Sequence, residues 1–165
     1  MSQIKVNSIV PVSGLSGGAS GGIIQTIQTF KADTTTTTSA SFEDMSGMTA
    51  TITPSVAGNK VLVRFAIHVS SPQAAVIMVN LLRGSTAIAQ PSSGTYVSTV
   101  QLWVDADRMV TQTYEFLDSP ATTSSTTYKL QWRNHSGSTT IKLNGYHGNT
   151  DYTTTSTMTL QEVSG

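Results

Sequence analysis

The chain has 165 residues, a formal net charge of +0 and only 11% charged residues. Its few Lys and Arg are scattered singly, which excludes the basic stripe of a nucleic-acid binder. It has no Cys, which excludes disulfides and thiolate metal sites. Ser and Thr supply the polarity that charges do not, and β-branched Thr favours strands.

In chain order, residues 1–22 stand apart. Ile4, Val6, Ile9, Val10 and Val12 are apolar, Pro11 interrupts them, and a Gly-rich stretch from Gly14 to Gly22 follows as a tether. Two readings suit such a segment: a disordered tail, or an arm that docks on another chain. Its branched aliphatics favour the arm, because disordered segments are poor in them. The stretch from Met1 to Asn7 lacks the basic run and apolar core of a secretion signal, and no window approaches a membrane span of about 20 apolar residues. Synthesis in a host cytoplasm and no membrane insertion are the expectations.

From Ile23 onward the pattern is β. Ile23–Phe30 alternates loosely and reads as a first strand. Thr34–Thr38 reads as a loop or an edge segment. Ser41–Met45 and Met48–Thr53 read as two short strands, the second stopped by Pro54, which cannot donate to a ladder. Val56–Asn59 turns into Lys60–Ser70, where Val61, Val63, Phe65, Ile67 and Val69 fall at every second position. That is the period of a strand with one face buried. Its other face, Leu62, Arg64, Ala66 and His68, is mixed and is expected to be partly covered.

Ala74–Leu82 is apolar at both phases. Its length suits a buried helix or a strand; its branched residues, and Arg83-Gly84-Ser85 leading into Thr86–Ala89, favour a strand and hairpin. A strand apolar on both faces needs cover on both sides. Val76, Ile77, Met78, Val79, Leu81 and Leu82 are therefore the candidate oligomer interface. Tyr96–Val104 and Met109–Leu117 read as a pair joined by the turn Asp105–Arg108. Thr126–Arg133 alternates cleanly, with Tyr128, Leu130 and Trp132 on one side. Asn134–Ser138 turns into Thr139–Asn144, Gly145–Thr153 is a polar loop, and Ser156–Val163 is a closing strand. No period of 3.6 persists. Eight to ten strands with frequent turns predict an all-β, two-sheet sandwich over residues 23–165.

Chemistry is thinly represented. His68, His135 and His147 lack a metal-ligand spacing. Asp105 and Asp107, like Asn149-Thr150-Asp151, suit a calcium site or a plain turn, since Asp bonds its own backbone. No Gly-x-Ser-x-Gly occurs, and Glu43-Asp44 is the only adjacent carboxylate pair, with no second partner selected for glycoside chemistry. No catalytic residue, metal ligand or cofactor is predicted. Trp103, Trp132, Tyr96, Tyr146 and Tyr152 are candidates for stacking on a sugar ring. Trp132 alternates with core positions, Trp103 is ambiguous, and Tyr146 and Tyr152 bracket the polar loop. Tyr146, Tyr152 and Trp103 are thus the possible glycan contacts.

Several segments in order resemble short structural proteins of tailed bacteriophages, especially those of marine bacteria and cyanobacteria. They are Ile4-Lys5-Val6-Asn7-Ser8-Ile9, Gly22-Ile23-Ile24-Gln25, Thr51-Ile52-Thr53-Pro54-Ser55, Asn59-Lys60-Val61-Leu62-Val63, Phe116-Leu117-Asp118-Ser119-Pro120, Thr127–Arg133 and Ser156–Val163. The resemblance implies a jelly-roll domain, similar in layout to the trimeric C1q and tumour-necrosis-factor heads. It implies a homotrimeric tail fibre, head fibre or capsid decoration on a virion, attached by its N-terminal arm to other virion proteins, with a host-surface glycan as an alternative partner. It carries no catalytic residues.

Overall fold

The computed structural model describes residues 22–165, all strand and connection. The proposed arm residues Ile4, Val6, Ile9, Val10 and Val12 lie outside the described residues. The strands are β1 (Ile23–Lys31), β2 (Thr35–Thr37), β3 (Glu43–Ile52), β4 (Lys60–Ser71), β5 (Ala75–Arg83), β6 (Thr86–Ile88), β7 (Val100–Val104), β8 (Arg108–Asp118), β9 (Thr126–Asn134), β10 (Ile141–Leu143) and β11 (Ser156–Val163).

They form two antiparallel sheets. Sheet A runs β1-β11-β4-β10-β2, with β8 on the other side of β4; sheet B runs β3-β9-β5-β6, with β7 also on β5. The three-residue strands β2, β6 and β10 are accessory, which is why eleven strands are seen where eight to ten are expected. The eight longer strands, counted in chain order, lie as first-eighth-third-sixth in sheet A and second-seventh-fourth-fifth in sheet B. That interleaving is the jelly roll.

The alternation in β4 sets the core. Val61, Val63, Phe65, Ile67 and Val69 are buried against Ile77, Val79 and Leu81 of β5 and Tyr128, Leu130 and Trp132 of β9. Each such side chain contributes roughly 1.5–3 kcal/mol by leaving water. β3 joins the two short strands expected from sequence. A register shift between Asp44 and Thr49 absorbs the break, and Gly47 takes φ 78° within it.

One expectation is corrected and another is narrowed. First, β7 and β8 do not pair. β7 lies on β5 in sheet B and β8 on β4 in sheet A, so the turn Asp105–Asp107 crosses between sheets. Asp107 takes φ 53° there and donates its N–H to the Ser71 carbonyl at 3.0 Å. Second, β5 does not stand open for a partner, because most of its side chains are covered by its own chain. Ile77, Val79 and Leu81 are in the chain's own core with no exposure. On the opposite face Met78 and Leu82 are also buried, and only Val76 is half-exposed. Arg133 reaches the Met78 sulfur at 3.0 Å, and Gln90 from the β6–β7 connection donates to Asn80 at 3.0 Å. The double apolarity of β5 marks a central strand covered on both sides by its own chain.

Candidate functional site

The strand registers give the molecule two unlike ends. At one, which we call the root, lie Gly22, the β3–β4 turn, Asp118 and the residues after Val163. Ser164 donates to the Gly22 carbonyl at 3.0 Å. At the other, the tip, lie the β7–β8 turn, the loop 145–153 and the turn after β9.

The root is built on two buried carboxylates. Glu162 is in phase with Met158 and Leu160 on β11, so its side chain points inward, and it is fully buried. It accepts hydrogen bonds from Gln25 Nε2 (2.5 Å), Asn59 Nδ2 (2.6 Å), Ser55 N (2.7 Å) and Ser55 Oγ (2.7 Å). Burial alone would push this carboxyl up; the bonds from Asn59, Gln25 and Ser55 outweigh it and hold the group at about 2. The donors come from β1 and the β3–β4 turn, so one charge ties three segments at the point where residue 22 enters the domain. Asp118 accepts two bonds from Arg83 (2.8 and 2.9 Å) and one from the Tyr128 hydroxyl (2.6 Å). Burial first, and the Asp118 bond second, push the Tyr128 phenol far above its ordinary value and keep it a donor.

The tip is built on aromatic rings. Tyr146 donates its N–H to the Tyr152 carbonyl at 3.0 Å, and the two rings stand edge to face with centroids 6.1 Å apart. With Asp107, Arg108 and Met109 they line a shallow hollow. Tyr152 is 62% exposed. Trp103 is elsewhere, on the outer face of sheet B, and is 79% exposed. It is paired in register with Val76, whose carbonyl accepts the His135 N–H at 2.9 Å. The Tyr96 ring meets the His135 ring edge-on at 4.3 Å. The predicted glycan contacts therefore divide into two places: Tyr146 and Tyr152 in one, Trp103 with Tyr96 and His135 in another. The β7–β8 turn separates them, giving Asp105 to the second and Asp107 to the first.

The remaining sequence candidates are dispersed. His68 on the outer face of sheet A shares a hydrogen bond of 2.8 Å with Thr111. His147 is half-buried in the tip loop; burial, then the nearby Lys142, lowers its imidazole below the usual value. Trp132 is in the core. Among the described residues no group of three or more His, Asp or Glu is placed to hold a metal ion. Glu43 and Asp44 are successive residues of β3 in opposite phases, and Asp44 accepts from Lys129 and Gln131 at 2.8 Å each.

The outer face of sheet A is a third feature, legible only with the register. Across β8, β4, β11 and β1 its rows read Leu117-Leu62-Gln161-Thr26, Glu115-Arg64-Thr159-Gln28 and Thr113-Ala66-Thr157-Phe30. Gln28 donates to Thr159 at 3.0 Å. Arg64 and Glu115 pair with each other at 2.5 Å, and no other charged residue stands in these rows.

No family model matches the chain, and no curated protein matches it. Among solved structures, similar folds occur in a structure of infectious bursal disease virus Gx strain (TM-score 0.47, 13% identity, 96% of this chain and 42% of that one). They occur also in a structure of the Gt strain (TM-score 0.49, 12% identity, 98% and 43%). This chain thus spans less than half the length of either. Neither likeness assigns a role to any residue here.

Proposed function

We propose that the chain is a non-enzymatic virion structural protein, a homotrimeric bacteriophage appendage (tail fibre, head fibre or capsid decoration) held to the particle by its N-terminal arm. The resemblance of its sequence to short phage structural proteins supplies the setting. The observation that carries the reading is the outer face of sheet A. It is long, four strands wide, and almost free of charge. A second copy laid on its three rows strands no ion, because Arg64 and Glu115 already neutralise each other and Lys60 stands beyond them at the root edge. Phe30 and Leu117 stay 62% and 46% exposed on it and give that contact apolar area. Closed rotational symmetry places the same end of every subunit together. Three arms would leave from three adjacent roots, and three tips would point away.

The mass of the full chain in solution tests this. A trimer is expected, and Thr157→Lys, which sets an unpaired charge in the middle of the face, should give a folded monomer. A monomeric parent at micromolar concentration would contradict the reading. Deleting residues 1–22 should leave a folded oligomer that no longer joins particles.

A second reading, a host-surface glycan-binding module, is favoured by the exposed rings of Trp103, Tyr96 and Tyr152 at and beside the tip. It is compatible with the first, since the tip is opposite the root. Binding of sugars to the full chain tests it.

A further inference from the structure

We propose that the hollow between Trp103 and His135 is a binding site for a neutral pyranose ring, and that the Tyr146–Tyr152 pair is not. The inference rests on the glycan reading for the class of ligand.

The site is made by the register of three strands. Gln101 and Trp103 of β7 face Met78 and Val76 of β5, and Val76 is followed across the sheet by His135 at the end of β9. Val76 and Met78 form an apolar floor. The aromatic walls are Trp103 on one side and the clamped Tyr96–His135 pair on the other. Two adjoining hollows of about 280 and 150 Å³ share Val76, Trp103 and His135. Tyr96 is itself fixed from below, because Gln101 Nε2 donates to its carbonyl at 2.7 Å.

The chemistry selects the ligand. One face of a pyranose carries axial C–H groups of slight positive character, and the face of an indole is its negative complement. The ring's edge carries hydroxyls that need both donors and acceptors. Neither the Trp103 indole N–H nor the Asp105 carboxylate bonds to any described residue, so both offer themselves at the rim. A carboxylate accepts from two neighbouring hydroxyls and repels an acidic sugar, so a neutral one is chosen. An apolar floor with a few polar groups at its edge is the usual make-up of a small-ligand site. The Tyr146–Tyr152 hollow lacks this form. Its rings stand edge to face at 6.1 Å, and Arg108 shares the opening.

The full chain has two Trp; Trp132 is buried and Trp103 is 79% exposed, so acrylamide quenching of fluorescence reports Trp103. Methyl glucoside, methyl galactoside, methyl mannoside and N-acetylglucosamine would be titrated, with N-acetylneuraminic acid as the acidic control. At least one neutral sugar should protect Trp103 saturably. By calorimetry Trp103→Ala should weaken that sugar by about tenfold or more, with circular dichroism and mass unchanged, and Tyr146→Ala should bind as the parent does. Sugar binding that survives Trp103→Ala would overturn the site while leaving the glycan reading. No protection by any neutral sugar, or stronger protection by the acidic one, would overturn the proposal. So would quenching that falls with protein concentration alone, which would make Trp103 a contact between copies.

Discussion

The root and the tip of this jelly roll solve opposite problems with the same scarce supply of charge. At the root, two carboxylates are buried and every one of their partners is supplied by the chain. At the tip, rings are left in water and polar groups are left without partners. The difference separates holding from offering: the root is a fixed joint between β1, β3, β4 and β11, and the tip is a surface on which little of the fold depends. A buried anion without a cation is stable only when neutral donors surround it. Gln25, Ser55 and Asn59 do that for Glu162 in a chain with few cations to spare.

Substitutions should expose this contrast, most strongly at the root. Glu162→Ala leaves the amides of Gln25 and Asn59 and the Ser55 N–H without their acceptor, and should lower unfolding free energy by about 3 kcal/mol or more in urea titrations. Asp118→Ala removes the acceptor of Arg83 and of the buried Tyr128 hydroxyl, and should cost about 2 kcal/mol. Arg83 reaches solvent, so its loss is the milder part.

Acid should act at the root as well. The Glu162 carboxyl titrates at about 2 when folded against an ordinary 4.5. A depressed value means that its contribution is complete above pH 4.5 and is lost as pH falls toward 2. The parent should lose stability through that window. Glu162→Gln should start lower at neutral pH and show a shallower loss. Equal slopes for the two proteins would break the assignment.

The tip should be nearly silent in the same measurements. Tyr152→Ala removes a ring that is 62% exposed, and its effect on stability should stay within about 0.5 kcal/mol. A cost as large as that of Asp118→Ala would show that the tip braces the fold and would erase the comparison.

Much of the fold was legible because a period of two is a local property. Val61 to Val69 and Tyr128 to Trp132 named the core before any sheet was known. The Asp105–Arg108 turn was legible as a turn, but not as a crossing between sheets, because hydrophobic pattern does not say which strand is the neighbour. β5 is ambiguous for the same reason: a strand covered on both sides by its own chain has the same composition as one covered by a subunit. Glu162 carries a sequence signal of its own, a lone acid in phase with Met158 and Leu160. The Trp103 hollow was half legible. The exposed ring could be suspected, but Tyr96 and His135 reach it only through the jelly-roll path, and no local pattern joins them. The neutral face of sheet A is likewise a product of register, since Thr26, Thr159, Arg64 and Glu115 come from four distant segments.

That face is where the central claim stands. Sedimentation of the full chain beside its Thr157→Lys variant tests it most directly. A trimeric parent and a monomeric, natively folded variant are the predicted pair. A monomeric parent, or a variant that remains trimeric, would contradict assembly through the outer face of sheet A.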